Sequence, residues 1–365
     1  MNEEKLLKYF EDIILKLTIA IGEKDLTDEE QAAELAEEIQ VLFEEYGAII
    51  LESIPQLIIE NYFGGVDEAT KLLTGAGVAI QATAALTAGG LVAKEFQKAI
   101  HLDAVEELLD DTLSDLQAAF RTAELNAISN INETIANVKE DITKGVIVGD
   151  SRKVMQAKVA KSFSEGGLTS FVTKDNKELP LDFYAMTVTR TKIRDAAVKG
   201  SADRYTDSGQ DLVKIVGNSD LCGVCAKYRN LVVSLSGNTP GYPKVGDNGI
   251  KLPPFHPNDR CNVQPFVARF KTDDEIVEAK KRNAQYDPEK DNRTPAQKRA
   301  YEKEQTARRQ ANAEKKQFMR WQSAMGADAP KTLGAFRRMK RSNSPKFQEL
   351  QSNYRSLMST KQESS

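Results

Sequence analysis

Between Asp103 and Lys144 the chain contains neither proline nor glycine, while Leu109, Leu113, Leu116, Phe120, Ala123, Ala127, Ile131, Ile135 and Val138 recur every three or four residues. Because 3.6 residues complete a turn, that spacing lays one narrow apolar seam along a single long helix. A helix of this kind is more readily a strut or an assembly surface than a catalytic platform.

Helical signals continue on its N-terminal side. Leu6, Phe10, Ile13 and Leu17 share one face of a first amphipathic segment. Thr27 and Glu30 have capping-box spacing and open a second helix carrying Leu35, Ile39, Leu42, Tyr46 and Ile49. Pro55 is expected to start a short third helix, with Gly64 and Gly65 ending it. The uncharged run Leu72 to Ala93 is long enough to span a bilayer, yet it is rich in Gly, Ala and Thr and carries Gln81 in its middle. Those small residues favour a helix buried against protein or an oligomer-forming surface, and no stable membrane insertion is expected. The N-terminus is acidic and amphipathic, without the basic start of a secretory signal, so an intracellular setting is expected.

Beyond the long helix, a connecting helix is expected over Ser151 to Ser164, broken at Gly166 and Gly167. Ser170 to Tyr184 reads as a hairpin around Asp175-Asn176. A further helix then passes through Met186, Ile193, Ala197 and Tyr205, followed by strands at Ser208 to Gly217 and Leu231 to Leu235. After Phe270 the aliphatic density falls, and Asp287 to Asn292 reads as a linker. Thr294 and Pro295 open a helix that is charged nearly all round, and Arg337 to Arg341 forms a basic knot before a Ser-rich end. Phe318 and Trp321 interrupt this charge at helical spacing, which favours docking onto protein.

The formal charge of -4 hides a strong division. Residues 1–70 carry 18 acidic and 4 basic side chains, whereas residues 271–365 carry 22 basic and 13 acidic ones, a difference of 23 charges between net -14 and net +9. The two ends therefore prefer different neighbours, and the basic end could touch DNA through its phosphates.

All three cysteines and one of the two histidines fall between Leu221 and Phe266. Cys222 and Cys225 have the two-residue separation that lets a tight turn grip one metal ion, with Gly223 easing the bend. His256 and Cys261 complete a four-ligand set suited to zinc, and Asp259 between them is an alternative ligand. Four protein ligands leave no open position, so such a zinc would be structural. A pair of small buried cysteines beside a hydrogen-bonded histidine fits the same residues. Two catalytic readings also fit in outline: a thiol nucleophile at Cys225 with His256 as base, and a metal-dependent nuclease acting on DNA around His256-Pro257-Asn258. The nuclease normally needs a second histidine, and the only other one is His101.

These elements add up to an α+β chain, predominantly α-helical. It divides into an acidic helical region over 1–100, a long helix with its connecting helix over 101–180, a small α+β module with the Cys/His cluster over 181–270, and a basic helical tail over 271–365.

The module resembles the phage minor capsid proteins related to the Mu-type head morphogenesis proteins. The resemblance is carried by Arg190-Thr191, Arg204-Tyr205, Gly209-Gln210-Asp211-Leu212-Val213, Cys222 and Cys225 with Tyr228, Ser234-Leu235-Ser236-Gly237, Tyr242-Pro243, and Pro253-Pro254-Phe255-His256-Pro257-Asn258 with Arg260. Arg293-Thr294-Pro295 and Tyr301-Glu302 of the tail are similar in style. In that family the last motif usually reads His-Pro-Asn-Cys-Arg and then His or Cys; here Asp259 replaces its first cysteine and Cys261 keeps the final position. The resemblance implies a low-copy structural protein of the phage head, present in the host cytoplasm during assembly. It would act at the portal in head assembly or in DNA packaging and delivery; some relatives carry appended enzymatic domains such as ADP-ribosyltransferases, but no residues here identify one, and no enzymatic activity is expected. Its implied partners are portal or major capsid protein, and packaged DNA through the basic tail.

Overall fold

The computed structural model describes residues 23–81, 83–143, 169–172, 178–217 and 222–358, with scattered positions in 5–21 and 154–159. The chain is α+β and predominantly helical. It divides into two units, one built from residues 52–115 and 187–305 and the other from 2–51, 116–186 and 306–365.

Helix α1 spans Glu29–Gly75 without interruption. Its N-cap is Asp28 rather than Thr27, because the Asp28 carboxylate accepts from the amides of Glu30 and Gln31 at 2.9 and 3.1 Å. Thr27 instead hydrogen-bonds Asp25 at 2.6 Å. The expected third helix is not separate: Pro55 lies inside α1, and Gly64 and Gly65 do not end it. The reason lies in the first unit, where α1 meets α3, Leu181–Asp207. A Cβ on Gly65 would lie 2.0 Å from the Ala197 carbonyl oxygen, and one on Gly200 would lie 2.0 Å from that of Tyr62. These glycines let two backbones touch, and the Ser201 hydroxyl seals the crossing by donating to the Gly65 carbonyl at 2.9 Å.

The helix ends at Thr74-Gly75-Ala76-Gly77. Gly77 adopts a left-handed φ of 83°, and the Val78 amide reaches back to the Leu73 carbonyl at 2.9 Å, a Schellman closure. This overturns the helical reading of the run from Leu72 to Ala93. Its later part is an irregular loop in which Leu86 bridges Val92 and the Ala85 amide is held by Asp67 at 2.8 Å. Among the described residues no helix is long and apolar enough to cross a membrane.

Helix α2, Ala99–Thr143, is the long helix expected from its seam. In the second unit Leu116, Phe120, Ala123, Ala127, Ile131 and Ile135 are buried as the spacing requires. In the first unit the buried face turns to Ala104, Val105, Leu108 and Thr112, with Leu109 and Leu113 only half-buried. A 3.6-residue helix drifts against a fixed seam, so the register changes along its length. The second unit also buries Leu35, Ile39, Phe43, Tyr46 and Ile50 of α1, and Lys139 of α2 pairs with Glu29 at 3.2 Å. A short hairpin there pairs β1, Thr169–Val172, with β2, Glu178–Pro180. The expected helices over residues 6–17 and 151–164, and the turn at Asp175-Asn176, lie wholly or mostly outside the described residues.

In the first unit, β3 (Leu212–Val216) is the centre of a three-stranded antiparallel sheet, with β4 (Val232–Ser234) on one side and β5 (Asn262–Pro265) on the other. Val213 pairs with Val233 and Pro265, and Ile215 with Val263. Alternation along β3 sends Val213 and Ile215 into a cluster with Ala69, Leu73, Val198, Tyr205, Leu231 and Phe255. Leu212 points the other way, to Val232, Phe266 and Ala279. The short helix α4, Gly223–Tyr228, connects β3 towards β4. Helix α5, Asp273–Ala284, is opened by a reciprocal capping box of Thr272 and Glu275. Its Asn283 side chain accepts from the Val232 amide at 3.1 Å and donates to the Val232 carbonyl at 2.7 Å, which blunts the open edge of β4.

Helix α6, Pro295–Met325, begins with Thr294 accepting from the Gln297 amide while Gln297 accepts from the Thr294 amide. Its far end belongs to the second unit. There Phe318 and Trp321 pack with Phe336 of α7, Leu333–Arg341, and with Phe347 and Leu350 of α8, Pro345–Met358. The basic knot is therefore one face of an ordered helix. Residues 359–365 lie outside the described chain.

Candidate metal centre

Cys222 sits immediately before α4 and acts as its N-cap, its sulfur accepting from the Cys225 amide at 3.3 Å. This contact bends the chain so that both sulfurs face one side, 3.4 Å apart. The second arm is carried to them by aromatic packing: Phe255 stacks on Tyr228 of α4 with ring centres 4.0 Å apart and planes 8° from parallel. His256 follows directly, and its Nε2 lies 3.0 Å from each of the two sulfurs.

The turn after His256 is shaped by Asn258 and Asp259. Asn258 is exposed and adopts a left-handed φ of 61°, a conformation asparagine tolerates better than most residues. Asp259 is only 6% exposed. One of its oxygens accepts from the Phe255 amide at 2.8 Å, and the other accepts from the Cys261 amide at 2.9 Å while lying 3.3 Å from the Cys225 sulfur. The carboxylate therefore staples the turn and brings Cys261, also buried, to Cys225. Donor atoms of Cys222, Cys225 and His256 lie within 4.8 Å of one another, as do those of Cys225, Asp259 and Cys261. The five residues singled out in the sequence thus converge as two triads that share Cys225.

Crowding of these groups perturbs their protonation. The Cys222 thiol is drawn down to about 4, first by a hydrogen bond from Cys225; burial opposes this, and contact with His256 adds to it. Cys225 is pushed far up by its bonds to Cys222 and Cys261 and by burial. His256 rises to about 9, mainly through its bond to Cys222. Burial alone would raise Asp259, but the two backbone amides and the neighbouring thiols outweigh it and hold the carboxyl below its usual value. Gathered this tightly, the thiolate, the carboxylate and, once it yields its proton, the His256 imidazole form a donor set that fits a cation.

The dimensions can be tested against zinc. A tetrahedral zinc with Zn–S bonds of about 2.3 Å and Zn–N bonds of about 2.0–2.1 Å separates its ligand atoms by roughly 3.5–3.8 Å. The present separations of 3.4 and 3.0 Å among Cys222, Cys225 and His256 are shorter by a few tenths of an ångström, within reach of small side-chain rotations, while Cys261 belongs to the second triad and would have to close on the first to complete a four-ligand shell. The cluster could hold a metal ion.

The catalytic readings fare less well. Cys225 is buried and its sulfur is already engaged by Cys222, His256 and Asp259, so the thiol expected as nucleophile is poorly placed to meet a substrate. His101 is fully buried among Tyr62, Phe63 and Phe96, with its Nδ1 2.9 Å from the Tyr62 hydroxyl. It is outside both triads, so the cluster lacks the second histidine that a His-Asn nuclease uses.

The family model described as phage minor capsid protein 2 matches residues 32–331. The chain belongs to this minor capsid protein family. No curated protein and no solved structure matches it. Membership supports a structural role in the phage capsid, a place in the virion, and interaction with other virion components.

Within this minor capsid protein, two residues that organise the module carried no assigned role in the sequence. Asp211, before β3, accepts from the hydroxyls of Ser234 and Thr239 and from the Ser236 amide at 2.7 Å. Its place in Gly-Gln-Asp, followed by a Ser-Leu-Ser-Gly turn, was the available signal. Arg293 lies against Gly223, where an added Cβ would sit 3.0 Å from its Nη2. No sequence pattern links those two positions.

Proposed function

We propose that this chain is a low-copy structural component of the phage head, placed at the portal and acting in head assembly or in DNA packaging and delivery. The family match across residues 32–331 carries the reading. Two long helices with buried seams supply struts, and the opposed charges of the two ends suit contacts with different neighbours. Portal or major capsid protein would be the direct partners. Packaged DNA would meet the basic residues of the tail. In purified particles the chain is expected at a few copies, cross-linking to portal or coat protein. Finding it free in lysate and absent from particles would overturn the proposal.

A structural zinc on Cys222, Cys225, His256 and Cys261 is part of the same reading, with Asp259 as the turn's staple rather than a ligand. The two backbone amides that donate to Asp259 support this division, since they give the carboxylate a place in the turn that needs no metal. When bound, the ion supplies cross-linking free energy and no reaction. Elemental analysis is expected to give one zinc per chain, lost in Cys261→Ser and retained in Asp259→Asn. Retention in the first and loss in the second would exchange the two roles.

A further inference from the structure

Beside the cysteine knuckle is a cleft of about 500 Å³ lined by Arg229, Arg282, Lys290 and Arg293 together with amide side chains such as Asn292 and Gln297. Its lining contains four cationic side chains and no carboxylate. Asp291 beside the cleft offsets one of these charges, that of Arg293; the other three repel one another in a concave site unless a counter-charge enters.

The cations differ in how they are held. Arg282 is fixed by donating to the carbonyls of Arg229 and Lys227, so its charge is positioned but not neutralised. Arg293 gives Nε and Nη2 to Asp291 at 3.0 Å each, while its Nη1 is buried and has no acceptor. Arg229 and Lys290 form no ion pair among the described residues. Gly223 helps build the site, because the absence of a side chain lets the Arg293 guanidinium lie against the knuckle.

We propose that this cleft binds a phosphate group, presented by a nucleic-acid backbone or by free phosphate. Guanidinium forks match the paired oxygens of phosphate, and Asn and Gln amides are common additional donors to it. The volume also suits a phosphate with part of its attached sugar. The inference does not depend on zinc: its residues are separate from the metal ligands and come from α4, α5 and the start of α6 with their flanking loops.

Isothermal titration of the full chain with inorganic phosphate, and separately with a short DNA duplex of random sequence, tests the site. The variant is Arg229→Ala with Lys290→Ala, which breaks no ion pair and is expected to melt like the parent. At least one ligand should bind tenfold more weakly or worse to the variant. Weakened duplex binding, with the salt dependence of log K reduced by about 1.8 for two lost contacts, identifies a backbone phosphate. Weakened binding of inorganic phosphate alone identifies free phosphate. Unchanged binding of both ligands, or no binding by the parent, overturns the proposal. Equal weakening by Arg337→Ala with Arg338→Ala, which removes the same charge from α7, also overturns it.

Discussion

The Cys/His module and the C-terminal helical cluster are both small, yet they are held together by opposite means. Around the knuckle, three strands of three to five residues and a six-residue helix are tied by sulfur, imidazole and carboxylate groups. Around Trp321, three helices are tied by an aromatic core, with the indole ring 5.3 Å from Phe336 edge to face and 5.1 Å from Phe347. The contrast follows from the local sequence. The irregular turns over residues 235–261 cannot offer a continuous apolar face, whereas α6, α7 and α8 each present one. Polar ties are specific but depend on solution conditions; apolar ties are not.

Removing metal should separate the regions most sharply. With a strong chelator, or in Cys222→Ser with Cys225→Ser, the module should lose stability on the scale of structural zinc binding, up to about 10 kcal/mol. Hydrogen exchange should then rise over residues 212–265 and stay unchanged over residues 318–350; equal change in both would erase the distinction. The converse test is Trp321→Ala, expected to cost about 3–5 kcal/mol in the C-terminal helices while zinc content stays at the parent level. Loss of zinc in that variant would show the two regions to be coupled.

A smaller effect is expected of Asp259→Ala, which leaves the Phe255 and Cys261 amides without acceptors at about 1–3 kcal/mol each. Thermal melting should fall even in excess zinc, as a ligand change alone would not require. The smallest effect concerns acid. Burial alone would raise the Asp211 carboxyl, but its bonds to Ser234, Thr239 and Ser236 outweigh it and hold the group at about 2, below its ordinary 3.8. A depressed folded value means that its contribution is complete above the ordinary value and is lost as pH falls towards about 2. Melting of the module should therefore decline between about pH 4 and pH 2, and Asp211→Asn should flatten that decline. In the Trp321 cluster the carboxylate tie, Glu314 to Arg337 at 3.2 Å, is partly exposed, and a smaller step is expected there.

Sequence made the regular parts of this molecule legible and left the contacts between elements hidden. The seam of α2, the start of α6 at Thr294-Pro295 and the strand at Leu212 announced themselves through spacing and capping chemistry. The cysteine and histidine positions were equally plain, because metal-ligating residues are rare and here they cluster. Gly64 and Gly65 misled because a glycine that permits a close helix crossing, here Gly65, looks, in one dimension, like a stop. The run after Leu72 misled for the opposite reason: lack of charge suggested burial as helix, while the decisive turn at Gly77 depended on one residue's conformational freedom. Asp259 stands in the sequence as an alternative ligand and keeps a place in one of the two metal-capable triads, while the positions of the Phe255 and Cys261 amides add a use as a staple that no spacing announces. Helix α8 went unnoticed behind its serine-rich surroundings, although Phe347, Leu350 and Tyr354 share a face.

The crossing of α1 and α3 limits how this protein can change over time. Each of its two glycines faces a main-chain carbonyl of the opposite helix rather than a side chain. A damaging substitution at Gly65 therefore cannot be rescued by trimming Ala197, nor one at Gly200 by trimming Tyr62, since the obstructing atom is common to every amino acid. A search for second-site suppressors of either lesion should recover reversion to glycine and few compensating changes across the crossing. Drift can reshape the charged surfaces of this chain freely, but these two sites must stay as they are for the helices to meet.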